Sequence, residues 1–221
     1  MHQPYQSEVA IPVAKQTIVS GNLTIPEETK GLVIFSQNRD NDRLSALNKM
    51  VADYLVQQGF STLLFNFLAT KEDSANESRN SVRTLAERLV IVSEWLLSFE
   101  ITMNLHQAYF GTNEDAAAAI YATAAEGTEI AAVVLCGGRP DLAMEVLPTL
   151  QTPTLLIVGS NDNEVLQFNQ KAFESMHSPK RLEVISGASH AFEEKGTMEK
   201  VCVQATAWFE QYLHPIRMIH R

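Results

Sequence analysis

The fold is decided by residues 31–66, which read GLVIFSQNRDNDRLSALNKMVADYLVQQGFSTLLFN. Two continuous apolar runs, Gly31–Ser36 and Ser61–Asn66, have the composition of strands that are buried on both faces. Between them, the apolar residues of Leu44–Gln58 recur every three or four positions, which is the period of an amphipathic helix. This order predicts two parallel strands joined by a helical crossover.

The same alternation of strand and helix continues as far as Leu213. Further strands are predicted at Gln107–Phe110, Ile130–Leu135, Thr154–Val158 and Arg181–Ile185, and helices at Val82–Phe99, Ala116–Ala125, Phe168–Met176 and Met198–Leu213. A predicted antiparallel hairpin, Glu8–Val13 with Gln16–Ile25, precedes them. The pattern predicts an α/β fold with a mostly parallel central sheet, helices on both faces and the hairpin at one edge.

The chain is expected to form a single domain. We place its core at residues 31–213, the N-terminal hairpin at 8–25 and a tail at 214–221. Ala69–Ser81 is polar and without periodicity, which predicts a surface loop.

Composition limits the classes of partner and cofactor. The chain has 221 residues and a formal net charge of −9, which disfavours nucleic acids and anionic membranes as partners. Its two cysteines, Cys136 and Cys202, lack the number and spacing of a disulfide framework or a metal site. Met1–Lys15 has no secretion-signal pattern, and no apolar run reaches membrane length. We therefore expect a cytoplasmic protein with no cofactor and no metal, and leave open whether it forms a homo-oligomer.

Two polar segments follow neighbouring predicted strands, Gly159–Asp162 (GSND) and Gly187–His190 (GASH). Ligands of parallel sheets bind beyond the carboxyl ends of the strands, so a carboxylate and an imidazole are expected on adjacent loops. An Asp that orients a His, whose other nitrogen faces a cleft, is a catalytic arrangement. Taken singly, Asp162 also suits a helix cap and His190 a surface loop.

These segments resemble the α/β-hydrolase superfamily, and within it the dienelactone-hydrolase-like branch. The resemblance rests on TLLIVG at Thr154–Gly159 with Asp162, GASHAFEE at Gly187–Glu194, GGRPD at Gly137–Asp141, and the strand-turn-helix pattern of Tyr109–Ala119. It implies an α/β-hydrolase fold and hydrolysis of an ester, lactone or thioester. It also implies that Asp162 is the acid and His190 the base of the catalytic site.

The nucleophile of that family is not matched. Its turn reads Gly-x-Ser-x-Gly, but Gly111–Asp115 reads GTNED, so that Asn113 takes the serine position. A carboxamide is a poor nucleophile, which removes the covalent step of acyl transfer. Asn113 is alternatively explained by the left-handed turn expected there, which favours Asn over most residues.

The expected oxyanion hole is changed as well. Gln37 and Asn38 follow the first buried strand, where the family has a His-Gly type motif, and Glu114 follows Asn113. The carboxylates of Glu114 and Asp115 oppose stabilisation of a developing negative charge, although acidic residues also stabilise the start of a helix.

Three further candidates each have a structural alternative. Cys136 lies at the end of a strand, directly before Gly137, where we expect it to border the cleft. It is a candidate replacement nucleophile, although buried thiols are usually inert. Arg139 is a candidate for bidentate binding of a carboxylate or phosphate of a ligand; alternatively, it forms an ion pair with Asp141 or another acidic residue. A cation site built from Glu114, Asp115, Asp162 and His190 matches no metal motif in its spacing.

The sequence favours a catalytically impaired hydrolase that acts as a small-molecule binding or regulatory module in the ancestral pocket. The alternative is an active hydrolase of an ester, lactone or thioester, in which His190 activates water or Cys136 attacks. A third hypothesis is a structural subunit whose acidic surface meets a basic partner. Whether the protein is an enzyme is left open at this stage.

Overall fold

A computed structural model describes residues 4–15, 17–37, 42–67, 81–125 and 129–213. The strands are β1 Tyr5–Ala14, β2 Thr17–Ile25, β3 Leu32–Gln37, β4 Ser61–Asn66, β5 Gln107–Asn113, β6 Ile130–Gly138, β7 Thr154–Gly159 and β8 Lys180–Ile185. The helices are α1 Asp42–Gln57, α2 Val82–Leu96, α3 Asp115–Ala124, α4 Asn163–Ser175 and α5 Thr197–Tyr212, with 3₁₀ turns at Pro140–Ala143 and Leu147–Thr149. Nearly all of the predicted loop 69–81 and the whole tail 214–221 lie outside the described residues.

Within these ranges, eight strands form one sheet in the order β1-β2-β4-β3-β5-β6-β7-β8. The β1–β2 and β2–β4 pairs are antiparallel, and every pair from β4 to β8 is parallel. The predicted α/β class, the mostly parallel sheet and the antiparallel hairpin at its edge are confirmed.

The central strands bury both of their faces, which explains their continuous apolar runs. On β3, Ile34 packs in the core layer beneath α2 and α3, whereas Val33 and Phe35 pack in the opposite layer beneath α1 and α5. Phe35 also lies against Phe110 of β5, with ring centroids 4.8 Å apart. Strands β5–β8 pair in parallel, one beside the next, so their carboxyl ends lie along one edge of the sheet.

Three predicted boundaries were wrong in ways that affect this edge. Helix α4 begins at Asn163 instead of Phe168, because the Asp162 side chain accepts a hydrogen bond from the Val165 N–H and caps the helix. Strand β5 continues past Phe110 to Asn113, and β6 continues past Leu135 to Gly138. The longer strands carry the backbone directly into the candidate site.

Among the described residues, none of the helices combines the length and apolarity needed to cross a membrane.

Replacement of Gly159 by Ala should destabilise the fold, because a Cβ at this position would overlap the carbonyl oxygens of Ala188 and Ser189. We expect Gly159→Ala to lower the free energy of unfolding by about 1–3 kcal/mol, measured by urea denaturation. Gln170→Ala, on the exposed side of α4, is the control and should stay within about 0.5 kcal/mol of the parent. An equal stability of both variants would show that the two loops do not pack this closely.

Candidate functional site

The turn between β5 and α3 places Asn113 at the edge where the parallel strands end. Asn113 has a φ of 48°, in the left-handed region that Asn tolerates better than most residues. Its carbonyl oxygen accepts a hydrogen bond of 2.8 Å from the Arg139 N–H at the end of β6. Gly111 permits the tight turn, since a Cβ there would lie only 3.0 Å from the Ala116 Cα. The backbone thus fixes the direction in which the Asn113 side chain leaves the sheet.

The loops after β7 and β8 are joined by several hydrogen bonds. The Ser160 N–H donates to the Ile185 carbonyl at 3.0 Å, and the Asn161 N–H donates to the Ala188 carbonyl at 2.9 Å. In return, the Gly187 N–H donates to the Ser160 hydroxyl at 2.8 Å. These contacts give Ser160 a structural role and hold the Asp162 and His190 loops at a fixed separation.

His190 contacts both of the other predicted site residues. Its Nδ1 lies 2.7 Å from Asp162 Oδ2, and its Nε2 lies 2.7 Å from Asn113 Oδ1. The Asp162 side chain is 15% exposed and that of His190 is 41% exposed, so the imidazole borders solvent while the carboxylate is mostly covered. The structure therefore brings together the predicted acid, the predicted base and the turn residue in one continuous hydrogen-bonded row.

The Asn113 amide can form a hydrogen bond with His190 Nε2 in each protonation state of the ring. A neutral imidazole that donates its Nδ1–H to Asp162 has only an acceptor at Nε2, which pairs with the Asn113 NH₂ group. An imidazolium donates at both nitrogens, and its Nε2–H then pairs with the Asn113 Oδ1. Since either end of the amide satisfies Nε2, Asn113 holds the ring without taking part in proton transfer.

The backbone around His190 is in an uncommon conformation. Phe192 is fully buried and has a φ of 53°, which is rare for a bulky side chain. The Thr197 hydroxyl donates to the Phe192 carbonyl at 2.7 Å and secures this turn. Gly137, with a φ of 57°, allows the His190 carbonyl to pack close, since a Cβ there would lie 3.3 Å from it. Strain of this kind persists only where surrounding contacts enforce it, and it clusters at functional sites.

Arg139 forms an ion pair with Asp141, so its guanidinium is not free to bind a ligand. Its Nε and Nη2 donate to the two carboxylate oxygens of Asp141, each at 2.8 Å. Its guanidinium also lies over the Phe168 ring, 4.4 Å from the centroid. Of the two interpretations of Arg139, the structure shows the pair with Asp141.

The prediction that Cys136 borders the cleft was wrong. The residue is fully buried in the core layer beneath α1 and α5, and burial raises the pKa of its thiol far above the ordinary value. A thiol that is neither exposed nor ionised does not attack a substrate. Cys202 is likewise fully buried, on α5.

The remaining candidates lie around the Asn113 turn with different exposure. Glu114 is exposed immediately before α3, whereas Asp115 in the first turn is 6% exposed. Gln37 ends β3, and Asn38 lies outside the described residues. Over the described ranges, no group of three or more His, Cys, Asp or Glu side chains is arranged to hold a metal ion.

One residue of the site was missed by the sequence analysis. Asn169 of α4 is fully buried and donates to the Gly138 carbonyl at 2.9 Å, directly behind the Asn113 turn. The available signal was a polar residue in the middle of the helix face formed by Val165, Asn169 and Ala172.

Comparison with solved structures identifies the family. The chain is 39% identical to a dienelactone hydrolase from Anabaena variabilis, with a TM-score of 0.89, over 96% of this chain and 100% of that chain. Est1E from Butyrivibrio proteoclasticus shares the fold at 12% identity, with a TM-score of 0.78 over 92% of this chain and 98% of its own. The chain thus belongs to the same family as the Anabaena dienelactone hydrolase and has the α/β-hydrolase fold.

Comparison with known sequences gives a second description. Two Mycobacterium tuberculosis proteins, from strains CDC 1551 and H37Rv, are provisionally named phosphoribosyl transferases and are 40% identical to this chain over 210 residues. The match covers 95% of this chain but 47% of each relative, so the chain spans about half of their length. No family model matches the chain.

The loop that carries His190 should respond to acid through Glu194. The Ser189 N–H donates to Glu194 Oε2 at 3.0 Å, and this hydrogen bond lowers the pKa of Glu194 from the ordinary value of 4.5. A carboxyl group with a lowered pKa stabilises the folded loop above the unfolded-state pKa, and this contribution is lost as the pH falls through the lowered value. We expect the Ser189 amide resonance to shift in NMR spectra as the pH falls below 4.5.

Glu194→Gln should abolish that pH-dependent shift, whereas Glu174→Gln on the exposed side of α4 should preserve it. An identical shift in Glu194→Gln and the parent protein would contradict the assignment.

Proposed function

We propose that this protein binds a small molecule in the cleft beside Asn113 and His190 and does not perform serine-type hydrolysis. The observation that carries the proposal is the 2.7 Å contact between the Asn113 amide and His190 Nε2. In the hydrolases that the chain resembles, the turn residue in this position is the nucleophilic serine, and the imidazole nitrogen that faces it removes its proton.

The chemistry of the amide supports this proposal. Asn113 has no hydroxyl or thiol, and delocalisation of its nitrogen lone pair makes the amide a poor nucleophile. The same amide engages Nε2, the nitrogen that would accept a proton from water. Both the covalent route and the simplest general-base route are therefore opposed by one contact.

The cleft keeps features that suit recognition of a polar small molecule. The end of the Asn113 amide that does not contact His190 offers a hydrogen-bonding group on a rigid backbone, and the first N–H groups of α3 lie beside it. The partly exposed His190 ring adds a contact surface. The strained backbone at Asn113 and Phe192 keeps these groups in place before a ligand arrives. Preorganisation of this kind favours binding even in the absence of a reaction.

The parent protein should hydrolyse p-nitrophenyl acetate no faster than the buffer does. Asn113→Ser should raise the rate by about tenfold or more over the parent, because His190 is already placed to accept the serine proton. Absorbance of released p-nitrophenol measures both rates. The double variant Asn113→Ser/His190→Ala is the control and should lose the gain.

An active hydrolase is a second candidate, favoured by the intact Asp162–His190 pair with its partly exposed imidazole. In this case His190 activates water, and such general-base catalysis typically contributes about 10²–10⁴-fold. Turnover by the parent protein that disappears in His190→Ala would establish this candidate and overturn the binding proposal.

Binding itself is tested with small lactones, esters and their carboxylic acids, using ligand-observed NMR. We expect at least one of these probes to bind, and Asn113→Leu to weaken it by about tenfold, equivalent to about 1.4 kcal/mol. Gln170→Leu, on the exposed side of α4, should leave the affinity unchanged. Failure of every probe to bind, or equal affinity in both variants, would contradict a ligand site at Asn113.

We propose further that the transferase name of the mycobacterial relatives refers to the half of those proteins that this chain does not match. This is supported by the coverage of 47% of the relatives, compared with 100% of the Anabaena hydrolase. Acidic residues Glu114 and Asp115 also stand at the start of α3, the helix end that would otherwise favour a phosphate group. Isothermal titration of the chain with phosphoribosyl diphosphate should show no binding, and measurable binding would contradict this assignment.

A further inference from the structure

The buried amide of Asn169 links the helix that follows Asp162 to the strand end that supports Asn113. Asn169 lies in the middle of α4 and has no exposed surface. Its Nδ2 donates to the Gly138 carbonyl at 2.9 Å and to the Val165 carbonyl at 2.8 Å. Because both acceptors are carbonyl oxygens, only the NH₂ end of the amide satisfies them. The orientation of the side chain is thereby fixed.

On one side, the Asn169 amide holds the peptide that supports the Asn113 turn. Gly138 is the register partner of Asn113 between β5 and β6, and the next residue, Arg139, donates its N–H to the Asn113 carbonyl at 2.8 Å. A Cβ on Gly138 would overlap the Ala116 side chain of α3, so this segment is packed tightly between two elements. Displacement of the Gly138 carbonyl would move the backbone of Asn113.

On the other side, the same amide holds the residue that Asp162 caps. The Val165 N–H donates to Asp162 Oδ1 at 3.3 Å, while the Val165 carbonyl accepts from Asn169. The other Asp162 oxygen, Oδ2, is the one that contacts His190. Asn169 is therefore linked to Asp162 through Val165, and to Asn113 through the peptide between Gly138 and Arg139.

Stability alone does not explain an Asn at this place. The buried face of α4 consists of Val165, Asn169 and Ala172, so the polar residue interrupts an otherwise apolar stripe. The Asn169 Oδ1 is buried without a hydrogen-bond partner among the described residues, and an unpaired buried acceptor is destabilising. Leucine has a similar size and would remove the unpaired Oδ1, at the cost of the hydrogen bond to the Gly138 carbonyl.

We propose that Asn169 is a positioning residue, which fixes the distance between Asp162 and Asn113 and so holds His190 between them. The hydrogen bond to the Gly138 carbonyl sets α4 against the end of β6, and the bond to the Val165 carbonyl fixes the amide on its own helix. The site residues follow from that placement. The proposal concerns the geometry of the site, and it applies whether the cleft only binds a ligand or also hydrolyses it.

Asn169→Leu separates a positioning role from a structural one. We expect the variant to keep its circular dichroism spectrum and a cooperative unfolding transition. Two-bond ¹H–¹⁵N correlations of the His190 ring should report a change at the site: the parent should show a fixed pattern, with the proton held on Nδ1. In Asn169→Leu both ring nitrogens should shift towards the averaged values of a free histidine.

Gln170→Leu provides the matched control, since it changes the neighbouring amide on the exposed side of the same helix. It should leave the ring shifts of His190 unchanged. If leucine does not fit, Asn169→Ala serves for the same comparison. Parent-like ring shifts in a folded Asn169 variant would overturn the proposal, and so would loss of the fold in both variants, because Asn169 would then be needed for folding itself.

Discussion

The site depends on one hydrogen bond, between the Asn113 amide and His190 Nε2 at 2.7 Å. This bond occupies the nitrogen that acts as a base in the hydrolases of this fold, and it places a group without a transferable proton opposite it. The Asp162 contact at the other ring nitrogen is of the same length, so the imidazole is held from both sides. Asp162, His190 and Asn113 keep the order of an acid, a base and a nucleophile, but the position of the nucleophile holds a carboxamide.

This bond is maintained by contacts that begin in the sheet. Parallel strands β5–β8 end along one edge, and hydrogen bonds between the loops after β7 and β8 set Asp162 and His190 against each other. The left-handed conformations of Asn113 and Phe192 are held at a cost of order 1–3 kcal/mol each, which the neighbouring packing offsets. Such a rigid site suits recognition of a ligand, and this is why we favour binding as the retained function.

The sequence predicted the fold and the closeness of Asp162 and His190 because both follow from simple patterns. Continuous apolar runs specify buried parallel strands, and the strand-end rule directed attention to Asp162 and His190. The start of α4 was misplaced because the helix opens on two exposed polar residues, Asn163 and Glu164, and periodicity alone missed the turn that Asp162 caps.

Two other features could not be read from the sequence alone. Cys136 was expected at the cleft, but its side chain lies on the β6 face that packs beneath α1 and α5. A strand on which both faces are apolar gives no sign of which face a residue takes. The proposed role of Asn169 depends on its hydrogen bond to the Gly138 carbonyl, a contact between separate elements that forms only once they are packed.

We propose that the described residues of the site include no activated nucleophile. Intact-mass spectrometry of the purified protein after incubation with a fluorophosphonate, which reacts covalently with activated serine hydroxyls, tests this proposal most directly. We expect an unchanged mass. A stoichiometric adduct on a residue of the cleft, lost when His190 is replaced, would contradict it.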